Sequence, residues 1–260
     1  MVDWYFYPLM IAAGFAAGFI NTLAGSGSIL TLPLLIFMGL PANVANSTNR
    51  VAILFQNAVS TTSFHRSRVL DVRGAILLGI PAVIGSVIGA LIAAALNELV
   101  MRRVIGVVML MMAVLIVLKS DQWIKGRLTE IPNRPDWKQL LIMFVIGIYG
   151  GFIQLGVGVF ILASLVLGVG YDVIRANAVK TAIIFLYTIA ALLVFQGSGN
   201  INWPIGLVVA IGSMAGAWVA ARFAIHWGTK WVYRILLVVV IFSALDFLGI
   251  IGMIINLISG

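Results

Sequence analysis

The chain contains no cysteine, which excludes disulfides and thiolate chemistry and leaves no sign of redox compartment. Charge is nearly as scarce. Only 9% of the 260 residues are Asp, Glu, Lys or Arg, against 62% hydrophobic, and the mean hydropathy is +1.15. So few polar side chains cannot cover a water-facing surface of this size. The long apolar runs therefore face lipid, and the length does not imply two soluble domains. Histidine is reduced to His65 and His226, both in basic turns and neither adjoining a carboxylate. No metal-ligand spacing or catalytic constellation is present, so neither an enzyme nor a cofactor is expected. The absence of a Gly-x-x-x-x-Gly-Lys-Ser/Thr run excludes nucleotide hydrolysis by a P-loop in this chain. The net charge of +8 comes without an RNA motif, zinc finger or basic helix, so nucleic acid is not an expected partner. In a membrane protein such an excess reports orientation.

What the chain does have is a duplication. Gly18-Phe19-Ile20, a Gly/Ser break and Ala45-Asn46 are answered by Gly151-Phe152-Ile153, a Gly-rich break and Ala176-Asn177. Gly85-Ser86-Val87-Ile88-Gly89-Ala90 is answered by Gly212-Ser213-Met214-Ala215-Gly216-Ala217. The predicted apolar segments of the first half are 5–40, interrupted at Ala24–Ser28, then 43–64, 74–96 and 99–118. Those of the second are 138–170, interrupted at Leu155–Gly158, then 177–195, 203–222 and 226–245, with an unpaired piece at 247–258. This divides one integral membrane domain into a first repeat (1–119), a polar linker (120–137) and a second repeat (138–260). Met1–Tyr5 reads as an interfacial lead-in to a retained helix, because it lacks the basic start of a signal peptide.

The expected fold is an all-α integral membrane protein of two inverted, pseudo-symmetric repeats, with broken helices or re-entrant hairpins and about eight to ten transmembrane segments. Three crossings per half would invert the second half. They would put the Arg66/Arg68/Arg73 loop, the linker, the Arg175/Lys180 end and the Arg222/Lys230/Arg234 turn on one side. Arg50, Arg102 and Arg103 would fall on the other. The basic Arg66 loop corresponds to neutral Gln196–Asn200, as inversion requires. Four crossings per half would instead give parallel repeats.

A helix break inside a bilayer leaves costly unpaired backbone groups, so it persists where it lines a cavity or is buried against protein. Asn21, Thr22, Gly25, Ser26, Gly27 and Ser28 form the first break, with Ser26 or Ser28 expected to cap the next helix. Gln154, Gly156 and Gly158 form the second. Helix starts at such breaks carry partial positive charge and favour anions. Gly85, Gly89, Gly212 and Gly216 read instead as close-packing positions.

The next segment in each half carries a polar stripe: Asn46, Arg50, Asn57 and Thr61 with Asn49 beside them, and Asn177, Thr181 and Thr188 flanked by Lys180 and Tyr187. Such stripes face protein or water, and two at matched positions suggest one shared cavity. Arg50 and Lys180 either contact a ligand there or snorkel to headgroups. The duplication aligns Asp246 with Lys119, which places it at a helix end. Asp71 reads as a solvated loop charge.

With its Ala24-Gly25-Ser26-Gly27-Ser28 break, the Leu32-Pro33-Leu34-Leu35 step and Ala45-Asn46-Ser47-Thr48-Asn49, the chain resembles the TauE/SafE family of sulfite and organosulfonate permeases over essentially its whole length. The second copy keeps the glycines (Gly156, Gly158) and Ala176-Asn177-Ala178 but lacks the proline and the hydroxyl pair. The resemblance implies secondary transport of a small sulfur-containing or carboxylate anion across the bacterial inner membrane. The expected partners are that anion and the lipid bilayer, with a homo-oligomer compatible. The residues alone leave two further classes open. One is a channel or carrier for a neutral solute or cation. The other is a membrane interaction subunit that transports nothing.

Overall fold

A computed structural model describes residues 6–118 and 135–223, and every regular element among them is helical. The first half comprises α1 (Phe6–Ala24), α2 (Ser28–Phe37), α3 (Ala42–Arg66), α4 (Val72–Ala95) and α5 (Glu98–Leu118). The second comprises α6 (Trp137–Phe152), α7 (Val157–Ala163) continued by a π-helical turn (Ser164–Val169), α8 (Val173–Gly197) and α9 (Trp203–Phe223). Asp246, His226 and the segments 226–245 and 247–258 lie outside the described residues, as do Met1–Tyr5 and most of the linker. The linker's last residue, Trp137, belongs to α6, because Asp136 and Gln139 close a capping box there.

Among the described residues four helices, α1, α4, α8 and α9, are long and apolar enough to cross a membrane. The distribution of polarity agrees. On α4 the bulky Ile80, Ile84, Ile88 and Leu91 are exposed, while Ala82, Gly85, Ser86, Gly89 and Ala90 are buried. On α3 the reverse chemistry lies inside: Asn46, Ser47, Thr48, Asn49, Arg50, Gln56, Asn57 and Ser60 are all buried. Large apolar side chains outside and polar or small ones inside suit a protein whose solvent is hydrocarbon.

The largest packing faces all join one half to the other. Helix α1 packs on α9 and α4 on α6, α3 contacts α9 and α4 contacts α8, and α3 lies against α8. Helices α3 and α8 run in opposite directions: the start of α3 bonds to the turn after α8 (Asn202 N to Thr48 Oγ1, 2.9 Å), and the turn after α3 bonds to the lead-in of α8 (Tyr171 to Asp71, 2.5 Å).

Close approach in the α1–α9 and α4–α6 pairs depends on the duplicated glycines. A Cβ on Gly89 would lie 2.0 Å from Ile148 O, and one on Gly151 2.0 Å from Ser86 O. The second pair repeats this: a Cβ on Gly216 would lie 2.0 Å from Phe15 O, and one on Gly18 2.1 Å from Ser213 O. These glycines are packing residues, as their spacing suggests. Gly89→Val and Gly216→Val should each destabilise the purified protein by roughly 1–3 kcal/mol through overpacking. Gly197→Ala, with nothing within 4 Å of the added atom, should stay within about 0.5 kcal/mol. Thermal unfolding in detergent measures both.

Candidate functional site at two helix breaks

Both sequence-predicted breaks exist, and they touch. In the first, α1 continues through Ala24, so Asn21 and Thr22 are the last turn of a helix and not unwound chain. Only Gly25–Gly27 separates it from α2. Gly25 adopts φ +76°, which a side chain would strain. The second break is shifted towards the N-terminus. It covers Ile153–Gly156, with Gly156 at φ +67°, and Gly158 already lies inside α7. Gly25 and Gly158 meet backbone to backbone: a Cβ on either would come within 2.4 Å of the other.

The expected hydroxyl caps are absent. Gly27 is the N-cap of α2, with no side-chain bond, and Ser26 Oγ is buried without a partner. Ser28 is buried in the first turn. The N-cap position falls on Gly27, which has no side chain, and the two serines lie one residue to either side of it.

The cations cap the opposite ends. A helix leaves its last four carbonyls without intrahelical partners, and hydrocarbon offers none. Arg50, on α3, donates from Nη1 to Gly150 O at 2.8 Å and from Nη2 to Gly151 O at 2.6 Å. Asn46 Nδ2 donates to Phe152 O at 3.0 Å, and Ile153 N takes Tyr149 O at 2.8 Å. The last turn of α6 is thereby fully satisfied. On the other half, Lys180 Nζ, on α8, donates to Asn21 O at 3.1 Å, Thr22 O at 3.2 Å and Asn177 Oδ1 at 2.6 Å. Each half thus supplies the cation that caps the broken helix of the other. Positive charge at a helix C-terminus also opposes the negative end of its dipole.

Neither cation snorkels. Arg50 and Lys180 are both 0% exposed. Arg50 lies 4.9 Å from the centre of the Phe195 ring, and its Nη1 approaches Gln154 Oε1 at 3.4 Å. Gln154 Nε2 in turn donates to the Tyr187 hydroxyl at 2.6 Å. Arg50 Nε is buried without a partner, like Ser26 Oγ.

The remaining stripe residues divide. Asn49 accepts from Thr31 Oγ1 at 2.6 Å, tying α3 to α2. Among the described residues, Asn57 and Thr181 bond carbonyls of their own helices and the Thr61 and Thr188 hydroxyls have no partner. Asp71 is not a free loop charge. It caps α4 through Gly74 N and accepts from Tyr171. His65 and Arg66 are exposed, in keeping with a surface turn. Five contributors escape a reading by stripe alone. Thr31 bonds Asn49, Ser60 bonds Thr22, Phe195 lies by Arg50, and Ser86 and Ser213 form a matched pair bonding Tyr187 O and Ala52 O. The duplicated Gly-Ser motif was the signal for the last pair. Among the described residues no cluster of His, Asp and Glu could hold a metal ion.

Comparison with known proteins agrees with this architecture. The family pattern described as "Sulfite exporter TauE/SafE" matches residues 10–247. The chain belongs to the TauE/SafE family. It is 28% identical over 251 residues to the Sinorhizobium protein named "Probable membrane transporter protein ORF9", covering 96% of this chain and 95% of that one. A Haemophilus influenzae protein named "Probable membrane transporter protein" is 25% identical over 223 residues, covering 85% and 86%. The Escherichia coli K12 protein named "Probable membrane transporter protein YfcA" is 26% identical over 237 residues, covering 89% and 87%. No solved structure matches the chain significantly. As a TauE/SafE member built this way, the chain is a helical membrane protein of a transporter family.

Removing either cation strands main-chain acceptors in a buried site. Arg50→Met leaves Gly150 O and Gly151 O unpaired, whereas Lys180→Met leaves Thr22 O, since Asn21 O keeps its bond from Gly25 N at 2.9 Å. Arg50→Met should cost about 2–4 kcal/mol, from two buried acceptors at roughly 1–3 kcal/mol apiece partly relieved by the lost charge burial, and Lys180→Met about 1–3 kcal/mol, from one. Arg50→Lys, able to hold one of the two carbonyls, should cost less. Denaturant unfolding in detergent orders the three variants.

Proposed function

We propose that this TauE/SafE protein is a secondary transporter that carries a small sulfur-containing or carboxylate anion, such as sulfite or an organosulfonate, across the bacterial inner membrane. The observation that carries this reading is a buried charge imbalance at the meeting point of two broken helices. Arg50 and Lys180 are fully buried there, and no Asp or Glu among the described residues is buried with them. A buried cation left without a compensating anion is costly, so an anion is the solute this core accepts most readily. Helix α2 adds its N-terminal end at the same break, with Ser26 Oγ and Arg50 Nε as donors not yet committed.

The substrate site in this reading consists of Asn21, Thr22, Gly25, Ser26, Gly27 and Ser28 from the first break and Gln154, Gly156 and Gly158 from the second. Asn46, Asn49, Arg50, Asn57, Asn177, Lys180, Thr181 and Tyr187 surround it. The contact of Gly25 with Gly158 closes the core in this conformation, so solute entry requires the two breaks to part. Two halves related by inversion (1–119 and 138–260) would part alternately towards each side. Three features support inversion: the opposed directions of α3 and α8, the exchange of capping cations, and the α1–α9 and α4–α6 pairs packed through equivalent glycines. In this reading the broken pairs α1–α2 and α6–α7 and the other helices belong to a bundle of eight to ten membrane segments. A gradient or the membrane potential drives transport.

The direct test is a thermal-shift screen of the purified protein against sulfite, sulfoacetate, taurine and simple carboxylates. An anion at 100 times its Kd should stabilise the native state by about 2.7 kcal/mol. Uptake of the same anion into vesicles should respond to an ionophore. A panel in which neutral solutes or cations stabilise and anions do not would refute the proposal.

A further inference from the structure

Asp71 and Tyr171 lie away from the two helix breaks and join the two halves at the end that carries Arg66, Arg68, Arg73 and Arg175. The Tyr171 hydroxyl donates to Asp71 Oδ2 at 2.5 Å, while Asp71 Oδ1 accepts from Gly74 N at 2.9 Å and so caps α4. Tyr171 is only 2% exposed, and burial together with the bond to Asp71 pushes its phenol upward, so that it stays a donor. Residue 74 has to be glycine for this contact: a Cβ there would lie 2.2 Å from the Tyr171 hydroxyl. One side chain thus ties the α3–α4 turn of the first half to the lead-in of α8 in the second.

The corresponding closure at the opposite end has different chemistry. Asn202 caps α9 through Ile205 N at 3.2 Å, as Asp71 caps α4. Its main-chain N–H donates to Thr48 Oγ1 at 2.9 Å, and the Ser47 hydroxyl bonds Asn200 O. Leu40, two residues before α3, stands where Tyr171 stands before α8. The bonds named at that end are between neutral groups, whereas the Asp71 end uses a carboxylate acceptor, the stronger kind.

We propose that the Tyr171–Asp71 hydrogen bond is a latch that closes the basic end of the polar core and must break before the core opens to that side. It rests on the alternating-access reading above and adds to it an inequality between the two openings. The cysteine-free chain permits a clean test. Ser60, fully buried on α3 between the first break and the Arg66 turn, becomes a reporter as Ser60→Cys, and Asn43→Cys reports on the neutral end. Modification by a small hydrophilic thiol reagent is timed on protein in nanodiscs, with and without Tyr171→Phe. The latch predicts labelling at position 60 faster by about ten- to a hundredfold, as loss of a hydrogen bond to a charged group implies, with no acceleration at position 43. An unchanged rate at position 60, or an equal rise at both positions, would overturn it. The readout needs no substrate. Anion uptake with unresponsive labelling would remove the latch alone, and responsive labelling without anion binding would remove the anion reading alone.

Discussion

Everything in this fold depends on how two interrupted helices dispose of their last carbonyls. In water such groups are hydrated at little cost. In the interior of a membrane protein they must find donors on the chain. Here Arg50 takes two carbonyls of α6 and Lys180 takes two of α1. Because each donor comes from the opposite half, neither break is satisfied until the halves have assembled. The capping requirement therefore holds the bundle together at its centre, where the two breaks also touch.

Close helix packing makes that exchange geometrically feasible. The glycines of α1, α4, α6 and α9 let backbones approach until no methyl group fits between them. This brings the last turns of α1 and α6 within reach of side chains on α8 and α3. Bulky apolar side chains such as Ile80, Ile84 and Leu91 also cover the lipid-facing surface, while apolar clusters fill the interior beside the polar side chains. Polar side chains then concentrate in the interior, and the same interior that satisfies the breaks becomes suited to a charged solute. Stability and the proposed function thus draw on the same two cations.

Much of this was legible in the residues. The break positions, the helices after them and the packing role of Gly85, Gly89, Gly212 and Gly216 follow from glycine content and duplication. Burial of Arg50 and Lys180 was not legible, because a cation one or two turns inside a helix has the same spacing whether it reaches headgroups or a neighbouring helix. Its partners are main-chain carbonyls, which carry no residue signature. The missing hydroxyl cap at Ser26 escaped notice because it depends on which residue of Gly-Ser-Gly-Ser falls at the N-cap, and a shift of one residue puts Gly27 there. Asp71 looked like a loose charge because, besides its local cap on Gly74 N, its other partner Tyr171 lies a hundred residues away.

The central proposal is that the halves are inverted, which would account for the cation of each reaching the broken helix of the other. Its most direct measurement is the sidedness of the two equivalent turns. Single cysteines at the exposed positions Ser67, after α3, and Ser198, after α8, can be labelled in intact cells with an impermeant thiol reagent, before and after the membrane is opened. Inversion predicts that the two positions label from opposite faces, one in intact cells and the other only after permeabilisation. Labelling of both from the same face would contradict it.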